Sequence, residues 1–115
     1  YAYMKSDWFV DEPIQVPEKI YLGKFRITHY CGCKRCNGKW AGHPTHSGRW
    51  PEDGVTIAVD KSQIPFGTWV EINGHAYRAD DTGSAIKRNC IDIYVSNHNV
   101  ALEKGVYYAD VYMMR

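Results

Sequence analysis

The dipeptide Asn73-Gly74 interrupts the run "TWVEINGHAYRAD", residues 68–80, at its middle. A two-residue type I′ turn needs positive φ at both central positions, which Asn and Gly tolerate, and the flanking residues alternate as strands do. This hairpin constrains the fold more than any other feature, because it fixes a register. Ile72 faces His75, Val70 faces Tyr77 and Thr68 faces Ala79. Strict alternation carries Asp81 onto that same face and sends Asp80 to the other, with Arg78, Glu71 and Trp69. Asp81 is thus the expected desolvated carboxylate and Asp80 the solvated one.

Further strands surround the hairpin. Residues 20–31, "IYLGKFRITHYC", are rich in β-branched and aromatic side chains. "VTIAVD", residues 55–60, is short and apolar enough for a buried strand, and "IPFGT" turns the chain after it. In "CIDIYV", Ile91, Ile93 and Val95 share one face while Cys90, Asp92 and Tyr94 share the other, so Asp92 points away from the core. "SNHNVALEKG" predicts one short helix, capped by Ser96 and ended at Gly105. "VYYADVYMM" closes the count at about six strands with closely spaced turns, which predicts a small β-barrel. Residues 32–54 form a long loop rich in Gly, Pro, Asn and Ser, and loops of that length are functional or cross-linked. Residues 1–19, with scattered acids and Pro13 and Pro17, read as an arm or linker ahead of a barrel domain at 20–115.

Composition excludes several classes of function. A chain of 115 residues is the size of one domain. Its formal charge of +1, with both signs scattered, gives no footprint for nucleic acid. No apolar run approaches the roughly 20 residues of a membrane-spanning helix. Tyr1 opens the chain without a signal-like segment, so the sequence reads as a monomeric domain from a longer protein. Cys31, Cys33 and Cys36 cluster and Cys90 lies far along the chain. Disulfides in an oxidising compartment, zinc held by thiolates and free thiols all fit that spacing, and either paired arrangement brings Cys90 near the cluster. The five histidines show no metal-like spacing. Trp40 and Trp50 flank the loop and could stack on sugar faces or simply pack.

Asp81-Thr82-Gly83-Ser84 matches the short signature of aspartic proteases. In that family the signature follows an apolar strand, whereas here it follows Arg78-Ala79-Asp80, and four residues outside their context carry little weight. A much longer match runs from about Leu22 to Met113. "FRITHYC", "THSG", "TIAVDKSQIPFGT", "ADDTGSAIKRNCIDIY" and "YADVYM" together resemble the 3D domain, a bacterial cell-wall family named for three aspartates and related to the catalytic barrel of membrane-bound lytic transglycosylase A. Ser84 and Arg88 stand where the family pattern has glycine.

The resemblance implies a mainly β fold, a six-stranded double-psi β-barrel with one short helix and a long cysteine-containing loop. It also implies a peptidoglycan lytic transglycosylase outside the cell or in the wall, acting on glycan strands without cofactor or metal. On that scheme one carboxylic acid protonates the oxygen between N-acetylmuramic acid and N-acetylglucosamine. The same group then draws a proton from the sugar's 6-hydroxyl, leaving a 1,6-anhydro end. The three aspartates fall on Asp60, Asp81 and Asp92, with Asp92 as the acid/base and Asp81 as its partner. Asp60, Thr82, Gly83, Lys87 and Tyr94 are the implied substrate-side residues. Because an ordinary aspartate titrates near ~3.9, Asp92 needs a raised pKa, from a neighbouring charged Asp81 or from burial beside Tyr94. Two other readings stay open on sequence: a non-catalytic, expansin-like glycan-binding module, and a two-carboxylate glycoside hydrolase.

Overall fold

A computed structural model describes residues 18–31 and 44–114. Most of the expected N-terminal arm, along with Cys33, Cys36 and Trp40, lies outside the described residues. Six strands close into a barrel: β1 (Lys19–Tyr30), β2 (Thr56–Val59), β3 (Trp69–Ile72), β4 (His75–Asp81), β5 (Cys90–Tyr94) and β6 (Tyr107–Met114). Around the ring the order is β1-β5-β2-β4-β3-β6. β5 therefore lies between β1 and β2, and β4 between β2 and β3. The β1–β5 and β2–β4 pairings are parallel and the others antiparallel. This is the expected six-stranded barrel, and closure leaves it no unpaired sheet edge.

The hairpin forms as its sequence dictates. Asn73 and Gly74 have φ of 52° and 79°. Ile72 pairs with His75 and Val70 with Tyr77, and the Ala79 amide donates to the Thr68 carbonyl at 2.9 Å. Inward-facing Phe25, Ile27, Ile57, Val59, Val70, Ile72, Ala79, Ile91, Ile93 and Val111 fill the interior, joined by Ile64 from the turn after β2. The short helix, α1 (His98–Lys104), follows β5. Its N-cap is Asn97, one residue beyond the expected Ser96: the Asn97 side chain accepts from the Asn99 and Val100 amides, while the Ser96 amide donates to Asp53.

Two expectations about β4 are overturned. Asp80 is the desolvated carboxylate, with no exposed surface, whereas the Asp81 side chain retains 18%. Asp80 does share the Arg78 side of the strand, but residues 45–49 fold back over that side. The Ser47 hydroxyl donates to Asp80 Oδ1 at 3.1 Å, the Ser47 amide donates to the Asp80 carbonyl at 2.9 Å, and Arg78 Nε donates to Asp80 Oδ2. The second departure is a bulge. Ile57 pairs with Ala79 but Ala58 pairs with Asp81, so one step along β2 matches two along β4. That extra residue breaks the alternation and moves Asp81 off the core face of Ala79 onto the outer face of Ala58.

The structure also separates Cys90 from Cys31. Cys90 pairs with Arg26 near the start of the β1–β5 ladder, and Cys31 lies one residue past the Tyr30–Tyr94 pair at its far end. Five residues at about 3.3 Å each put them roughly 16 Å apart, beyond the ~7 Å Cα limit of a disulfide. Cys31 is buried with its sulfur 3.4 Å from His98 Nδ1.

Candidate functional site

A cleft of about 420 Å³ opens on the outer side of the barrel, lined by Tyr30, His46, Ala58, Asp81, Asp92 and the 82–86 turn. Its geometry follows from the strand order. β2 runs between β5 and β4, and its Ala58 pairs with Asp92 on one side and Asp81 on the other. A methyl group at that position leaves an open floor between two carboxylates. With strands about 4.8 Å apart, the two aspartate backbones stand roughly 10 Å from each other across it.

Asp92 alternates with buried Ile91 and Ile93 and so faces outward, as its sequence predicts. Thr28, opposite it on β1, donates its hydroxyl to Asp92 Oδ1 at 2.8 Å. Burial pushes the Asp92 carboxyl above its ordinary range. The Thr28 bond and the positive potential of His29 and Arg26 act against that shift, and the charge of Asp81 adds to it as the smallest contribution. Desolvation, and not the neighbouring carboxylate, therefore dominates the acidity of Asp92.

Asp81 has a different environment. Its Oδ1 accepts from the His46 amide at 3.2 Å, from His46 Nδ1 at 2.7 Å and from the Thr82 amide at 2.9 Å, and its Oδ2 accepts from the Tyr30 hydroxyl at 3.2 Å. The His46 and Thr82 amides and the Tyr30 hydroxyl each donate a hydrogen to it. Tyr30 keeps its phenolic proton: burial and the negative charges of Asp81 and Asp92 push its pKa upward. Tyr94 packs edge-on against the Tyr30 ring, with centroids 5.4 Å apart.

Of the residues singled out in the sequence, Asp81, Asp92, Thr82 and Gly83 meet at the cleft. Asp60, Lys87 and Tyr94 are not among its lining residues. Asp60 Oδ1 accepts from the Ser62 amide and hydroxyl at 3.0 and 2.6 Å, and these bonds lower its pKa, helped by Lys87 and Arg88. It shapes the turn that delivers Ile64 to the core. Tyr94 supports Tyr30 from behind. Cys31 and Cys90 lie outside the cleft lining as well, and among the described residues no cluster of three or more His, Cys, Asp or Glu could hold a metal ion. Thr28, Tyr30, His46 and Ala58 were missed, although "FRITHYC", "THSG" and "TIAVD" contain all four. Only the barrel's register shows that these separate segments converge.

A closed six-stranded barrel thus carries two differently solvated aspartates in one outer cleft. Residues 55–115 match the model of the 3D domain family, more than half of the chain, and the chain belongs to that family. Over 50 residues it is 46% identical to YabE of Bacillus subtilis (strain 168), whose name describes a cell wall shaping protein, covering 43% of this chain and 12% of YabE. Among solved structures it resembles MltA from E. coli, with a TM-score of 0.53 and 26% identity over 62% of this chain and 27% of that one. MltA with bound chitohexaose superimposes with a TM-score of 0.56 at 23% identity, over 65% of this chain and 29% of that chain. The chain thus spans about a quarter of MltA and about an eighth of YabE. Among the described residues no helix is long and apolar enough to cross a membrane.

Proposed function

We propose that this barrel is a peptidoglycan lytic transglycosylase acting at the cell wall, with Asp92 as its proton donor. The observation that carries this reading is the half-buried Asp92 carboxyl, raised in pKa by desolvation at one wall of an open cleft. A carboxylic acid that holds its proton can give it to the glycosidic oxygen as the C1–O bond breaks. The 6-hydroxyl of the same muramyl residue then closes on C1, its proton passing to a base in the cleft, which in the simplest scheme is Asp92 itself. Asp81, held by four donors, supplies fixed negative charge that favours the cationic character developing at C1. Thr82 and Gly83 line the same wall and would contact the sugar. MltA, which a second solved structure names as a lytic transglycosylase, shares the fold at 25% identity and a TM-score of 0.54.

The test is incubation of purified peptidoglycan with the unaltered chain and with Asp92→Asn, followed by mass spectrometry of the product ends. Anhydro ends from the unaltered chain alone support the reading. Reducing ends would make the protein a hydrolase, and glycan retention without products would make it a binding module.

A further inference from the structure

We infer that Arg26, Lys87 and Arg88 form a cationic rim at one end of the cleft that binds the carboxylates of the stem peptide carried by the muramyl residue; the assignment rests on the peptidoglycan reading above. All three residues are exposed, and they come from two distant segments. Barrel register brings them together. Arg26 lies two residues before Thr28 on β1 and shares its outward face, because Phe25 and Ile27 on either side are buried. Two strand residues span about 7 Å, and the positive potential of Arg26 is felt at the Asp92 carboxyl. Arg26 pairs with Cys90, and its amide donates to the Asn89 carbonyl at 2.9 Å. Lys87 and Arg88 precede that carbonyl in a tight turn, closed by the Cys90 amide on the Lys87 carbonyl at 3.0 Å. Residues 82–86 of the same segment are the cleft wall, so the rim continues that wall.

The turn is held in shape before any ligand arrives. Asn89 has a φ of 63°, a left-handed conformation that Asn tolerates, and Gln63 clamps it from both sides. Gln63 Nε2 donates to Asn89 Oδ1 at 2.7 Å, and the Asn89 amide donates to Gln63 Oε1 at 2.9 Å. Such preorganisation lowers the entropy cost of binding. The charge at the rim is also left uncancelled. Among the described residues, Arg78 bonds Asp80 and Glu52, Lys19 bonds Glu71, and Arg49 stands 3.8 Å from Asp80. None of Arg26, Lys87 and Arg88 has a carboxylate within 4.0 Å there. The facing acid is Asp60, which is bonded to Ser62 and acts on Lys87 and Arg88 only through its field. Three positive charges against that one leave the rim cationic. Arg88 stands where the family pattern has glycine, so part of this charge is an addition to the shared scaffold. The lactyl group joins the muramyl ring at C3, close to C1, so the peptide leaves the sugar beside Asp92. Its carboxylates, repelled by Asp81, then have guanidinium forks to meet at the rim.

The test measures binding to the Asp92→Asn chain, so that nothing is cleaved, of three ligands: soluble peptide-bearing glycan strands, the same strands stripped by an amidase, and chitohexaose. Peptide-bearing strands should bind about tenfold tighter than either of the others, because each exposed charge contact changes affinity about 1.4- to 5-fold. Adding Arg26→Gln, Lys87→Gln and Arg88→Gln together should bring that ratio to within about twofold of unity. With the rim intact, raising NaCl from about 50 mM to about 500 mM shortens the screening length to roughly 4 Å and should collapse the ratio as well. A ratio that persists in the triple variant, or that ignores salt, overturns the rim. Stripped strands that bind as tightly as peptide-bearing ones also overturn it, because the amidase leaves only the lactyl carboxylate. Failure of all three ligands to bind removes the peptidoglycan reading and the rim together, whereas equal binding of all three removes the rim alone. Release of anhydro ends by the unaltered chain tests the lytic chemistry separately.

Discussion

Three aspartates with the same chemistry behave differently because their surroundings differ. The Asp60 carboxyl is lowered by the Ser62 hydroxyl and amide, Asp81 is saturated by donors, and Asp92 is raised by burial. The sign of the Asp92 shift has a consequence for stability. A carboxyl whose pKa is higher in the folded state loses stability as pH rises from below its unfolded value through its folded value, because the unfolded chain ionises first. Asp92→Asn should therefore raise Tm at pH 7, and the gain should fade as pH falls below the ordinary carboxylate range, as a calorimetric pH series would show. An unchanged Tm at pH 7 would mean that Asp92 is not held against ionisation. Thr28→Val removes the hydroxyl that favours the charged form, so on the proposed lytic chemistry the alkaline limb of cleavage, where Asp92 ionises, should move to higher pH, with about 1 kcal/mol lost from stability. A limb that stays in place would assign Thr28 to packing alone. The direction of Asp92 was legible from "CIDIY", since simple alternation holds there. Its acidity was only half legible, because the sequence pointed equally to Asp81 and to burial, and burial dominates.

Strand β4 shows where alternation stops being a guide. Its first half follows the hairpin, with Val70 opposite Tyr77 and Ile72 opposite His75. Past Ala79 the bulge against β2 changes the face of Asp81, and with two adjacent aspartates after Ala79 the apolar alternation no longer marks where the extra residue falls. Asp80 was misread for a separate reason: its solvent is replaced by residues 45–49, and contact across more than 30 positions of sequence is invisible to a periodicity. The outcome is a buried ion pair in which Arg78, with a side chain only 11% exposed, bonds Asp80 and reaches Glu52 at 3.3 Å. Removing one member of such a pair strands the other. Asp80→Ala should cost about 3–5 kcal/mol in urea unfolding. Because Ser47 loses its anchor as well, the turn that carries His46 should loosen, seen as faster amide exchange at residues 45–49. A loss under about 1 kcal/mol would show that the 45–49 turn admits water to this pair.

Barrel closure ties the cleft to the core. Ile27, fully buried, pairs with Ile91 on β5 and with Tyr107 on β6, so one residue sits where β1 joins both of its neighbours. The residues that follow on each parallel strand, Thr28 and Asp92, make the bond that holds the proposed proton donor. A cleft built this way cannot open without disturbing the ring, which places its stability near that of the fold as a whole. Ile27→Ala should cost about 2–5 kcal/mol, as large-to-small core changes do. Against a total of roughly 5–15 kcal/mol, that lowers Tm by about 10 °C or more. The sharper expectation concerns coincidence. On heating, the tyrosine and tryptophan fluorescence transition and the loss of the proposed glycan cleavage should superimpose in both the unaltered chain and Ile27→Ala, as for one cooperative unit. Cleavage lost well below the fluorescence transition would mean that the wall carrying Asp81 and His46 melts by itself, and that the turn at 45–49, and not barrel closure, sets the temperature limit of the site.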